Sequence, residues 1–213
     1  MKSSSRRRYA SELRTQSAED TRRRILDAAT FLFGRKGIDK VMIADIGQRA
    51  GVAASTVYGI YKSKDGILRA LMQRSLFGAS FQDARKLLFG IADPVELVAL
   101  TSHVSRAIYS GESSDLGLLR SASGFSPALR KIEQEFERIR YDMQKERLRL
   151  LFKAGKARRD LTLEEARRIM WTFTSRDVYR MLVHEGGWSP DRYQEWLSRT
   201  LLEALVAKPP RQG

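Results

Sequence analysis

Residues 43–64, IADIGQRAGVAASTVYGIYKSK, constrain the fold more than any other stretch, because they read as two short helices joined by a glycine turn. Ile43, Ile46 and Ala50 recur at three and four residues and predict the inward face of the first helix. Gly51 follows where the chain must turn left-handed, a conformation that costs little without a side chain. The second helix is predicted from about Ala54 to Tyr61, with Val57 and Tyr61 inward and Ser55 and Gly59, flanked by Thr56 and Tyr58, outward. Small polar residues on such an outward face suit insertion into a DNA major groove. A plain helical hairpin with a packed inner side has the same spacing, so the flanking sequence has to decide.

Upstream, Ile25, Ala28, Ala29, Leu32 and Phe33 follow the i, i+3, i+4, i+7, i+8 order of an amphipathic helix that Gly37 closes. Ser17 with Asp20 makes a plausible start for it. Downstream, Ser63 is placed to cap a fourth helix, with Asp65 in its first turn and Ile67, Leu68, Leu71, Met72 and Leu76 on its apolar face. Taken together, TRRRILDAATFLFGRKGI and the 43–64 stretch resemble the DNA-binding region of the tetracycline-repressor (TetR) family of bacterial regulators. The matching residues are Ile25, Leu26, Ala28, Ala29, Leu32, Phe33, Gly37, Ile46, Ala50, Gly51, Val52, Thr56, Tyr58, Ser63, Lys64 and Leu68. They span roughly a quarter of the chain; the remainder shares only length and helical character with the family.

The resemblance implies DNA contacts from Gln48, Arg49, Ala54, Ser55, Thr56, Tyr58, Gly59, Lys62 and Lys64. Tyr58 and Lys64 resemble the family's phosphate-contacting residues, whereas Gln48 and Arg49 stand where the groove edge is in reach. Two departures stand out. Met42 and Ala53 replace the Ser or Thr that often caps the second and third helices, and each lost cap costs on the order of 1 kcal/mol. Ala44 and Ala54 replace polar base-contacting residues, and no Arg, Asn or Gln lies between Ala53 and Tyr61 to make a bidentate base contact.

The net charge of +14 favours a polyanionic partner, and its distribution says where. Residues 1–74 hold 16 Lys and Arg against 7 Asp and Glu, leaving +5 for the other 139. Residues 1–17 are polar and basic, with Arg7 and Arg8 among serines, and are predicted to be a disordered arm. The arm either tracks phosphates or an adjacent minor groove, or is a solvated tail. Absence of cysteine excludes disulfides and thiolate metal sites and fits a reducing compartment. With no apolar run near 18 residues and no hydrophobic segment after the basic start, a soluble, cytoplasmic, nucleoid-associated protein with no membrane partner is expected.

The rest reads as helix after helix. Asp93–Pro94, Ser126–Pro127, Thr162 with Glu165, and Ser189–Pro190 each mark a helix start, and no segment alternates with period two. A short helix around Leu116 to Ser121 is also expected, and the Thr162 helix is predicted to run to Gly186. The fold expected is all-α with about nine helices. Its parts are the arm (1–17), a helix-turn-helix domain (18–66), a larger effector-binding and dimerisation domain (67–207) and a tail (208–213). By resemblance, the last two long helices pair in a homodimer, with Tyr179, Leu182, Trp196 and Leu201 as candidates, although packing within one subunit explains these residues nearly as well. The resemblance also implies an effector cavity in the middle helices. Phe81, His103, Tyr109, Phe125, Phe136, Tyr141 and Trp171 are candidates to line it, and core packing is the alternative for each.

Catalysis finds little support. His184 and Glu185 lack a second histidine at position 188, which is Trp188, and no phosphate loop or complete nucleophile elbow occurs. No enzyme, metal or cofactor is expected. The function expected is a ligand-responsive regulator, most simply a repressor, that binds a palindromic operator as a homodimer and is released by a small-molecule effector. The alternative is an effector-independent architectural DNA-binding protein.

Overall fold

The computed structural model describes residues 2–111, 117 and 127–208, with side chains from residue 15 onward. Every regular element among them is helical, in agreement with the expected all-α class. The helices are α1 (Lys2–Lys36), α2 (Ile43–Ala50), α3 (Ala54–Tyr61), α4 (Lys64–Phe77), α5 (Ala79–Lys86), α6 (Pro94–Ala99), α7 (Thr101–Ser110), α8 (Pro127–Met143), α9 (Lys145–Lys153), α10 (Leu163–Phe173), α11 (Arg176–Tyr179, widening into a π turn to Glu185) and α12 (Pro190–Leu205). Leu100 and Gln144 keep right-handed backbone angles, so α6–α7 and α8–α9 run on with little interruption. One isolated antiparallel bridge, Ala157 to Val206, is the sole extended pairing among the described residues. None of the described helices is long and apolar enough to cross a membrane.

Two compact units divide the chain, and the boundary falls inside α4, after Gln73 rather than after residue 66. The first unit takes the residues up to Gln73 and the start of α8; the second takes 74–111 and the residues from 134 on. In the first, Ile25, Ala29 and Phe33 of α1, Ile46 of α2, Val57 of α3 and Ile67, Leu68 and Leu71 of α4 are buried, as their spacing predicts. In the second, α12 buries Tyr193, Leu197, Leu201 and Leu205 along one side.

Local chemistry explains several of the helix starts. Asp93 accepts a hydrogen bond from Val95 N–H at 3.1 Å, Ser63 from Gly66 at 3.1 Å and Ser189 from Arg192 at 3.1 Å, each at a helix start. Thr162 and Glu165 complete a capping box, with the Thr162 N–H donating to Glu165 at 2.7 Å.

Two expectations need correction. The arm predicted to be disordered is helical from Lys2, continuous with α1, so no helix starts at Ser17. Its Ser, Glu, Leu and Arg content, though too polar to pack, offers no helix-breaking residue to end the rod. The helix predicted from Thr162 to Gly186 is broken after Phe173. There the Thr174 hydroxyl donates to the Met170 carbonyl at 2.7 Å, and Ser175 turns extended to cap α11 by accepting from Val178 N–H at 3.3 Å. The short helix expected around Leu116 to Ser121 falls almost wholly outside the described residues, as does most of the expected tail.

Candidate nucleic-acid interface

The α2–α3 turn is held by backbone geometry more than by caps. Gly51 adopts φ +67°, and the Val52 N–H donates to the Gly47 carbonyl at 2.9 Å. A side chain at Gly47 would bring its Cβ to 2.9 Å from the Val52 carbonyl oxygen, so only glycine lets the two helices approach this closely. The missing caps are half compensated: Met42 offers no side-chain cap, but its N–H donates to Asp45 at 2.9 Å, so one end of a capping box survives. Ala53 has no such substitute.

With Val57 fully buried, α3 turns Ala54, Ser55, Thr56, Tyr58 and Gly59 to solvent, and Tyr58 keeps 59% of its surface. A Cβ built on Gly59 meets nothing within 4 Å, so this side of the helix faces open space. Gln48 and Arg49 at the end of α2 are exposed as well.

Three cations expected at DNA already have partners. Arg49 lies on the Phe31 ring, with its guanidinium carbon 3.5 Å from the centroid. Lys62 sits at φ +65° and returns its ammonium to the Gly59 carbonyl at 2.8 Å, capping the end of α3. Lys64 donates to the carbonyls of Ile38 and Asp39 at 3.1 and 3.3 Å, tying the turn before α2 to the start of α4. One of its three donors is left for a phosphate. Lys64→Ala is therefore expected to do two things: lower the melting temperature, by a loss of about 1 kcal/mol, and weaken binding to every duplex with a salt slope smaller by about 1. Unchanged melting would contradict the first effect, altered sequence preference the second. Arg7 and Arg8 lie on the helical backbone of α1, and their side chains fall outside those described.

In the second unit the expected cavity residues disperse. Phe81 lines a small cavity of about 30 Å³ whose walls include Phe77, Val104, Met143, Arg140 and Gln144. Phe136 packs behind it, its ring centroid 5.8 Å from that of Phe77. Tyr109 is buried core, donating its hydroxyl to the Thr174 carbonyl at 3.1 Å. Tyr141 and Trp171 are half-buried away from the cavity: Tyr141 donates to Glu164 with Arg167 over its ring at 3.9 Å, and Trp171 lies under Arg140 at 5.2 Å. Phe125 is outside the described residues. Of the expected interface residues, Tyr179 and Leu201 are 2% and 0% exposed within the subunit, whereas Leu182 and Trp196 retain surface.

His103 is tied into a polar relay instead of the cavity. Arg106 donates to the Gln194 carbonyl oxygen at 3.2 Å, which orients the amide so that its nitrogen donates to His103 Nε2 at 3.1 Å. That nitrogen must then carry a lone pair, and His103 is neutral. Burial first, and Arg106 second, hold its pKa below the ordinary 6.5. Below that value the unfolded chain gains a proton that the folded one resists, so this stability is present above pH 6.5 and is lost on acidification through the folded pKa. Melting temperature should fall from pH 7.5 to 5.5, and fall less in His103→Gln; an identical fall in both would contradict the relay.

Sequence reading missed the polar stripe Arg140, Gln144 and Arg147, which the cavity brings together. The signal available in the sequence is their spacing at i, i+4 and i+7 along α8–α9, a weak one because cations on a helix usually face water. Among the described residues no group of three His, Asp or Glu gathers that could hold a metal.

A buried brace, a tight glycine turn and a short outward helix of small hydroxyl-bearing residues define a helix-turn-helix unit. Residues 25–71 match the family model described as bacterial regulatory proteins, tetR family, and this part of the chain is a tetR-family DNA-binding domain. The fold extends the likeness over most of the chain. A putative TetR-family transcriptional regulator from Syntrophomonas wolfei superposes with a TM-score of 0.70 at 17% identity, over 85% of this chain and 93% of its own. SmeT, the repressor of the Stenotrophomonas maltophilia multidrug efflux pump SmeDEF, does so with 0.63 at 24% identity, over 88% and 93%. A putative transcriptional regulator from Saccharomonospora viridis, in complex with choline, gives 0.63 at 22% identity, over 89% and 100%. No curated protein matches the sequence.

Proposed function

We propose that the protein is a ligand-responsive transcriptional regulator, most simply a repressor, that binds a palindromic operator as a homodimer and leaves it when a small molecule enters the second unit. The observation that carries this reading is the exposed α3 face of Ala54, Ser55, Thr56, Tyr58 and Gly59 behind a tightly packed turn. One such helix touches few bases, so two heads on a dimer are needed for useful affinity. Exposed Met181, with half-buried Leu182 and Trp196, supplies apolar surface on the last two helices for that pairing. Phosphate contacts fall to Tyr58, Lys62, Lys64, Arg7 and Arg8, while Gln48 and Arg49 reach the groove edge. The small-molecule part is supported by the choline complex of the Saccharomonospora viridis regulator and a triclosan complex of SmeT. It is also supported by Phe77, the last residue of α4, which lines the cavity on a helix that begins at Lys64. Coupling of about 1–3 kcal/mol between the two ligands suffices for a five- to 150-fold loss of DNA affinity. Footprinting on the DNA flanking the protein's own coding region should show two half-sites centred about 10 base pairs apart or a multiple of that. Even protection along the duplex would instead favour the architectural alternative, with which the absence of Arg, Asn and Gln from α3 agrees.

A further inference from the structure

The cavity's polar groups are nearly all engaged with one another, and the exceptions describe a ligand. Arg140 is neutralised by Glu137 at 2.6 Å and donates to the Trp171 carbonyl at 2.9 Å and the Thr174 hydroxyl oxygen at 2.7 Å. Thr174 gives its own proton to the Met170 carbonyl, so its oxygen can only accept, and Gln144 Nε2 donates to it at 2.8 Å. That bond fixes the Gln144 amide and leaves Oε1, on a side chain at 5% exposure, without a donor among the described residues. Ser105 is satisfied by Tyr193 at 2.9 Å, and Thr101 donates to the Leu97 carbonyl at 3.0 Å.

Arg147 differs from Arg140, which lies two turns earlier on the same side. Its single partner among the described residues is the Thr101 oxygen at 3.2 Å, and no carboxylate there faces it. Burial, aided by the positive charge of Arg85, pushes its pKa down to about 10. A part-buried guanidinium without a counter-ion is costly, and a bound anion would offset part of that cost. Beside it, Phe77, Phe81, Val104 and Met143 present apolar surface and no further charge.

Building on the effector reading above, we propose that the second unit takes an anionic amphiphile, a carboxylic acid whose head pairs with Arg147, whose hydroxyl donates to Gln144 Oε1 and whose apolar body lies on Phe77, Phe81 and Met143. With only about 30 Å³ free, the ligand enters by displacing the flexible Met143 and the ring of Phe77. Occupation and rearrangement at the end of α4 are then one event.

The test compares four molecules of one chain length, octanoate, 3-hydroxyoctanoate, octylamine and 1-octanol, by calorimetry on the full-length protein without DNA. Octanoate should bind, the 3-hydroxy acid more tightly, and the amine and alcohol at least tenfold more weakly than octanoate. Arg147→Met should lose octanoate affinity by roughly tenfold or more while melting no lower than the parent in the absence of ligand; Arg147→Lys should recover part of the affinity. The proposal is overturned if octylamine or octanol binds as well as octanoate, if neither acid binds, or if Arg147→Met binds octanoate unchanged. The operator footprint keeps the two ideas separable: failure to protect any half-site sinks the regulator, whereas a protected operator with no acid bound sinks the ligand class alone.

Discussion

Gly66→Ala is expected to destabilise the DNA-binding unit by about 3 kcal/mol, at the upper end of what overpacking costs, and to lower affinity for specific DNA by about two orders of magnitude. A Cβ at this position would lie 1.9 Å from the carbonyl oxygen of Tyr61 and 3.0 Å from its carbonyl carbon. Both atoms are backbone, so no rotamer change relieves the overlap; α4 must move away from the end of α3. The same movement strains the Gly66 N–H bond to Ser63 and the burial of Ile67 and Leu68, which hold α4 in place. Gly59→Ala serves as the control for melting alone, because a Cβ there enters open space and the helix gains about 1 kcal/mol of propensity, although the residue lies on the proposed DNA face. Melting measured on both variants, with DNA affinity measured on Gly66→Ala, would contradict the packing argument if Gly66→Ala behaved like the parent.

Arg140→Ala should cost the second unit about 3 kcal/mol, a fall of about 6–12 °C in melting temperature. Its guanidinium joins three elements at once, through Glu137 on its own helix, the Trp171 carbonyl of α10 and the Thr174 hydroxyl beyond it. Truncation leaves the part-exposed Glu137 carboxylate without its counter-ion and the buried Thr174 oxygen with one donor fewer. Surface pairs such as Lys86 with Asp83, both about two-thirds exposed, set the contrast: Lys86→Ala should shift melting hardly at all. Equal shifts for the two variants would show that the Arg140 network is not structural.

The parts of this chain that local rules govern were legible without coordinates. Residues 54–61 were bounded as a helix and its outward side identified, because a 3.6-residue repeat and a left-handed glycine leave few alternatives. The starts at Asp93, Thr162 and Ser189 followed from side chains that bond the first free N–H groups of a helix. What escaped depends on distant neighbours. Apolar spacing cannot tell a subunit core from an interface, so the burial of Tyr179 and Leu201 within the subunit had no separate signal. Close backbone approach leaves no trace in composition, so Gly47 and Gly66 passed as ordinary glycines. Arg49 and Lys64 were assigned to DNA with no sign of the ring one helix away and the two carbonyls 25 or 26 residues back that already engage them. Arg147 escaped for the opposite reason, since a cation on an amphipathic helix is expected to reach water.

The regulatory function rests on the exposed hydroxyl side of α3 meeting base edges. Competition between a footprinted operator duplex and random duplex of equal length, at fixed salt, tests this most directly. The account predicts a preference of about a thousandfold or more, lost on replacing Ser55 and Thr56 together. A ratio near one, or a preference that survives the double substitution, would contradict it.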